Sequence, residues 1–385
     1  MFDYASYAIS LRRELHQYPE IGFDLPRTLA LVRRELDEMG IPYTEEYGRS
    51  GIVATINEGK PFTIGIRADM DALPITEETG LPYASKIEGQ MHACGHDMHT
   101  AQLLAVGRKL NDMRDSLRCC VKLIFTPAEE YITPGAKLMV EDGLMDGIDC
   151  AITCHVDPTR PAGHVSLLSG GTNANSHGMR VEFFGKSCHA HSQEKGVDAI
   201  RMAVQAYMGM ELMLAREVPS RDAAVLNVGT IHGGNTNNIV CNHVEMFLTT
   251  RTHSDELTAF MERRIREICD ATAKMCGGEA KVTVTKLLPY VINHPVMVEK
   301  MGASAAAVLA ADCIHEGKRS MGGEDFAFLS RVKPCVLLSL GVGPTTPLHS
   351  TTFCPDESAF ATGIAIFTRF VLDHQDGIEF EEVRV

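Results

Sequence analysis

The sequence predicts an α/β protein whose mainly parallel sheet is flanked by helices and whose chain is interrupted by an inserted α+β domain. Two patterns carry this expectation. Strand-like and helix-like segments alternate through residues 1–176 and again through 290–385, and strands joined by helices of this length imply right-handed crossovers and parallel pairing. Between them, residues 177–289 run in the order β-α-β-β-α-β, which suits a small sheet with two helices on one face. A chain of 385 residues agrees with more than one domain, at about 150 residues each.

The elements follow in order. Residues 9–17 and 27–39 read as amphipathic helices, and Leu29, Leu31, Val32 and Leu36 keep the 3.6-residue period of the second. Residues 52–56 and 62–68 read as strands, and 97–110 as a helix with Asp97 near its start. A strand at 121–126, a helix at 134–142 ended by Gly143 and a strand at 150–155 complete the first α/β stretch. The inserted domain reads as strand 179–184, helix 197–216, strands 224–231 and 244–250, a helix at 255–275 after Ser254, and strand 281–287. Helix 297–311, strand 335–340 and helix 357–373 restore the first rhythm.

Composition narrows the function classes. Hydrophobic residues make up 45% and charged residues 22%, an ordinary globular balance. Lys plus Arg number 36 against 50 Asp plus Glu, a net charge of −14 that argues against nucleic acid and anionic membrane, both of which reward a basic face. The 12 cysteines form no dense disulfide framework in a chain of this size. No apolar run is long enough to span a bilayer, and the first residues lack the basic and apolar regions of a signal peptide, so a reducing cytoplasm is expected.

The chemistry-bearing residues recur where strands end. The strand at 62–68 runs into Asp69-Met70-Asp71, the strand at 121–126 into Glu129-Glu130, and the strand at 150–154 ends at His155. Strand 335–340 leads through a Gly/Pro-containing loop to His349, and His92, Cys94, His96 and His99 precede or open the helix at 97–110. Ligands in open α/β sheets bind beyond the carboxyl ends of the strands, so these groups are expected to meet in one crevice. Thiol, imidazole and carboxylate are the ligands of a borderline cation such as zinc, and a thiolate can bridge two ions. Cys94 lies before a helix start and is expected to sit beside cations, and both effects favour its thiolate. Adjacent Glu129 and Glu130 are expected to point apart, one to ligate and one to take a proton from activated water. His92 and His99 are expected to orient the loop behind the ligands. Gly185-Lys186-Ser187 resembles the end of a phosphate loop, but Arg180 stands where the first glycine belongs.

Nearly the whole chain resembles the dinuclear-metal aminoacylase/carboxypeptidase superfamily, and within it amidohydrolases such as hippurate hydrolase and auxin-conjugate hydrolase. The resemblance rests on IRADMDALPITEETGLPYAS at 66–85, MHACGHDMHT at 91–100, FTPAEE at 125–130, GKSCHAH at 185–191, VGTIHGG at 228–234, GGEDFAF at 322–328 and PLHS at 347–350. It implies a zinc-exopeptidase-like catalytic domain, 1–176 plus 290–385, and a ferredoxin-like lid and dimerisation domain at 177–289. It also implies two divalent metal ions, zinc or manganese foremost with nickel or cobalt as options. Cys94 bridges them, His96 and His155 complete one site, and Glu130 with His349 the other. Glu129 is then the general base, His189 the lid histidine that stabilises the oxyanion, and Asn238 with Arg251 the holders of the substrate carboxylate. The implied reaction cleaves the amide of an N-acyl amino acid, carried out by a homodimer or higher homo-oligomer. A dipeptidase or carboxypeptidase on the same scaffold is the alternative, and a non-catalytic binder of small amides a remoter one.

The sequence departs from the family pattern in the lid. Ser187-Cys188 precede His189, His191 and Gln193 follow it, and the segment before Asn238 reads Asn235-Thr236-Asn237. These changes bear on substrate choice and leave the metal motifs intact.

Overall fold

The strand Thr63–Asp69 is buried at every residue, which demands cover on both faces and a place in the middle of a sheet. A computed structural model describing residues 2–380 gives it that place. By contact the chain divides into two units: one gathers the chain up to Gly170, Val291–Lys318 and the segment from Asp325 onward, the other Gly171–Tyr290 and Arg319–Glu324.

The first unit holds an eight-stranded sheet in the order Tyr43–Thr44, Ile52–Ile56, Cys120–Thr126, Thr63–Asp69, Cys150–Pro161, Cys335–Gly343, Val165–Leu167, Ile314–Glu316. The four central strands are parallel, and the antiparallel pairs lie toward the edges. Alternation along the strands feeds two cores on opposite faces. Ile52, Leu123, Phe125, Ile152 and Leu338 point to a large core with the helices Tyr4–His16, His96–Asp112 and Ala359–His374. Val53, Ile124, Ala151 and Leu337 point to a smaller one with Met139, Leu144 and Phe326. Thr63–Asp69 lies between the two strands that follow it, Cys120–Thr126 and Cys150–Pro161, so the winding changes direction at its carboxyl end. That switch point is where an open sheet leaves room for a ligand.

The second unit is a fully antiparallel sheet, ordered Glu279–Leu288, Asn175–Phe184, His243–Thr252, Ala224–Gly233, with the helices Ala199–Glu217 and Asp255–Cys276 packed on it. Both helices start at side-chain caps, Asp198 accepting from Ile200 N and Ser254 Oγ accepting from Leu257 N at 3.0 Å. Met202, Met210, Met246, Met261 and Phe183 fill the space between sheet and helices.

Some boundaries differ from the sequence expectation. The strand that begins at Cys150 continues to Pro161, so His155 is a mid-strand residue and not its end. The helix expected at 297–311 is Pro295–Ala306, and residues 319–324 belong to the second unit. The two- and three-residue edge strands were not expected, being too short to show a period. Among the described residues, no helix is long and apolar enough to cross a membrane.

Candidate metal centre

Helix His96–Asp112 begins immediately after Gly95, which sits at φ 83° and so turns the chain where a side chain is disfavoured. A Cβ there would also meet Val156 at 2.6 Å. This turn delivers Cys94 and His96 together. The Cys94, His96 and His155 donor atoms lie within 4.8 Å of one another, and so do those of Cys94, Glu130 and His349. Cys94 belongs to both groups. A third group joins His96 to Glu129 and Glu130.

The two adjacent carboxylates therefore face the same cluster, against the expectation that they point apart. The reason is the backbone. Residues that follow the strand at Cys120–Thr126 leave the extended form at Ala128, φ 56°, and wrap around Asp71. Asp71 Oδ1 accepts from Glu129 N at 2.9 Å and Oδ2 from Glu130 N at 3.1 Å. Strand alternation no longer applies in such a turn. His349 arrives from its own loop at φ 62°, held by its N–H on Ala93 O at 2.8 Å, and its Nε2 stands 3.1 Å from Glu130 Oε1.

The histidines share a pattern. His96 Nδ1 donates to Asp71 O at 2.8 Å, and His155 Nδ1 donates to Val156 O at 2.9 Å. Each proton is thereby fixed on Nδ1, and each Nε2 lone pair is turned to the cluster. His155 Nε2 lies 3.6 Å from Cys94 Sγ, and His96 Nε2 is buried with no hydrogen-bond partner. Buried acceptors are rarely left so. Behind them, His99 donates from Nδ1 to Asp69 at 2.6 Å and accepts at Nε2 from Val156 N at 3.1 Å, which ties the helix to two strands. His92, expected to share that supporting role, is buried with neither ring nitrogen hydrogen-bonded. Burial drives its pKa down to about 3, so it is a neutral core residue.

The electrostatics ask for positive charge. Burial by itself would raise the Asp69 carboxyl, yet His96, Arg67 and His99 outweigh it and hold it well below its ordinary range. Burial would lower His96, but Asp69 and Cys94 raise it well above. Burial pushes the Cys94 thiol well up, with His96 pulling the other way. The helix start alone therefore does not make the thiolate; the cations expected beside it are needed as well. One sulfur, three imidazoles and two carboxylates gathered at one place are a donor set that fits a pair of divalent cations. Asp69 and Asp71, which sequence reasoning noted only as polar strand-end residues, organise this set.

In the second unit, the segment around His189 runs antiparallel to the one around Asn238, with Ala190 N donating to Asn238 O at 2.9 Å. His189 Nδ1 accepts from His191 N at 3.2 Å and lies 2.7 Å from His191 Nδ1. Arg251 is the ninth of ten residues of His243–Thr252, whereas Asn238 precedes its first. At ~3.4 Å per residue, eight strand steps separate Arg251 from the near end by about 27 Å. His189 and Asn238 are thus brought together, and Arg251 is not with them.

A family model described as peptidase family M20/M25/M40 matches residues 65–373. The chain is similar to an N-acetylcysteine deacetylase of Bacillus subtilis, 33% identical over 367 residues that cover 94% of this chain and 96% of the relative. It is similar also to hippurate hydrolase of Campylobacter jejuni, 30% identical with 94% and 95% covered. A crystal structure of a dinuclear metal binding peptidase from the M20 family, from Bacillus subtilis, superposes with a TM-score of 0.84 at 29% identity, covering 97% of this chain and 99% of that one.

Proposed function

The chain belongs to peptidase family M20/M25/M40 and is a hydrolase of amides, and from that premise we propose that it splits the amide bond of N-acyl amino acids with two divalent metal ions. Cys94, His96 and His155 would hold one ion and Cys94, Glu130 and His349 the other. The observation that carries this reading is the sharing of Cys94 between two ligand groups with Glu129 beside them. When bound, such ions polarise the amide carbonyl and bring the pKa of water toward ~7. The donor set suits zinc or manganese, and the thiolate favours the softer ion.

Glu129 accepts the proton of the attacking water and returns it to the nitrogen of the leaving amine. Its place is prepared by Asp71, which fixes the backbone, and by Asp325 N, which donates to Glu129 Oε1 at 3.3 Å. His189 supplies the oxyanion donor. Because its Nδ1 accepts from a backbone N–H, the neutral ring carries its proton on Nε2, the tautomer this task requires. Arg251 binds the substrate carboxylate as a bidentate partner.

The separation of Asn238 from Arg251 supports a homodimer, in which one copy contributes His189 and Asn238 and the other Arg251. A dimer face is at hand. Ile200, Val204, Met208 and Leu212 form an exposed apolar stripe on Ala199–Glu217, away from its buried face. The neighbouring strand Ala224–Gly233 is an open sheet edge. N-acyl substrates are favoured over dipeptides because the deacetylase and hippurate hydrolase relatives are named for them. The test is a panel of N-acetyl and N-benzoyl amino acids set against dipeptides, read as free amino acid released. Release from the acyl amino acids is the expected result; release from dipeptides alone refutes the substrate class.

A further inference from the structure

Arg67 is a buried cation that the proposed chemistry does not use. It sits two residues before Asp69 on the same face of the central strand, and its side chain runs to the strand's carboxyl end. Its fork is divided between two carboxylates. Nη1 donates to Asp69 Oδ2 at 2.8 Å and Nη2 donates to Asp325 Oδ1, while Nε donates to Thr126 Oγ1 at 2.9 Å. Three segments, the ends of Thr63–Asp69 and Cys120–Thr126 and the residue Asp325, are thereby joined at one guanidinium.

We infer that Arg67 is a positioning residue that sets the orientation of Glu129 through Asp325, an inference that rests on the reading of Glu129 as the base. The chain of contacts is continuous. Arg67 fixes one oxygen of Asp325, the other oxygen accepts from Ala136 N at 3.0 Å, and the Asp325 backbone N–H donates to Glu129 Oε1. The loop that carries Glu129 is thus held from both sides, by Asp71 on its amides and by Asp325 on its carboxylate and on Ala136, at the start of the helix Gly135–Glu141. The packing there leaves no slack, since a Cβ at Gly135 would fall 1.9 Å from Pro127 O. Lys cannot replace Arg in this position, because three donors on one point charge cannot reach Thr126, Asp69 and Asp325 in the geometry of a planar fork.

The experiment is a double-mutant cycle on the full-length, metal-loaded protein. Arg67→Lys and Asp325→Asn are each made alone and in the Glu129→Gln background, and kcat, KM and bound metal are measured. Expected is a fall in kcat of roughly a hundredfold for Arg67→Lys, with KM within about twofold and two metals retained. In the Glu129→Gln background the same change is expected to cost no further rate, measured by mass spectrometry over long incubation. An equal loss in both backgrounds overturns the inference, as does an unchanged kcat. Should Arg67→Lys not fold, the same comparison with Asp325→Asn decides by the same two outcomes. Failure of the base assignment is distinct: Glu129→Gln alone then keeps its rate.

Discussion

The two units treat their functional groups in opposite ways. In the first, Asp69, Asp71, His96 and His99 are almost wholly buried and tied to backbone or to one another, so the cluster exists before any substrate arrives. In the second, His189, His191 and Asn238 are exposed on connecting segments. A low-dielectric scaffold with fixed dipoles is what transition-state stabilisation needs, while an exposed loop can change with the substrate. The lesson is that the metal-ligating side chains are fixed within one unit, while the departures from the family pattern fall on exposed segments of the other.

This division can be broken at several points. Cys94→Ala removes the ligand common to both groups, so turnover should fall by roughly a thousandfold or more and bound metal should drop below two; full metal content in that variant would contradict the shared role. Placing charge on the apolar stripe, with Met208→Glu and Leu212→Glu together, should yield a monomer by light scattering. Its metals should remain, while turnover falls by about a hundredfold, the usual scale for an oxyanion donor. A monomer of normal activity would show that each subunit completes its own site. Arg251→Ala should raise KM by about 10- to 100-fold at nearly constant kcat, since a charge-assisted contact to the substrate carboxylate is present before and during the reaction. The smallest effect belongs to His191→Ala. The backbone N–H still holds the His189 tautomer, so a loss of about two- to fivefold in kcat is expected for one exposed neutral contact.

The same contrast explains what the sequence could reveal. The alternating strands and helices and the β-α-β-β-α-β insertion were legible because each element is long enough to display its period, as in Asp255–Cys276 and Cys120–Thr126. That Cys, His and Glu side chains would cluster was legible because they recur together near the ends of expected strands and before one helix. What was hidden depends on three-dimensional closure. Glu129 and Glu130 face one cluster only because Asp71, nearly sixty residues earlier, gathers both amides. His155 lies inside a strand because pairing with Cys335–Gly343 carries that strand on to Pro161. The distance between Asn238 and Arg251 follows from the length of one strand, which local pattern does not connect to a ligand. Arg67 gave no signal either, since a charged residue in an apolar strand announces burial partners without naming them.

The central claim is that Glu129 acts as the base beside a metal cluster it does not itself hold. The most direct measurement is metal content by mass spectrometry together with turnover of an N-acyl amino acid, for the wild-type chain and for Glu129→Gln. The account predicts two metal ions per chain in both proteins, full turnover in the wild type and only a small residual rate in Glu129→Gln. Turnover in Glu129→Gln at the wild-type rate would contradict it.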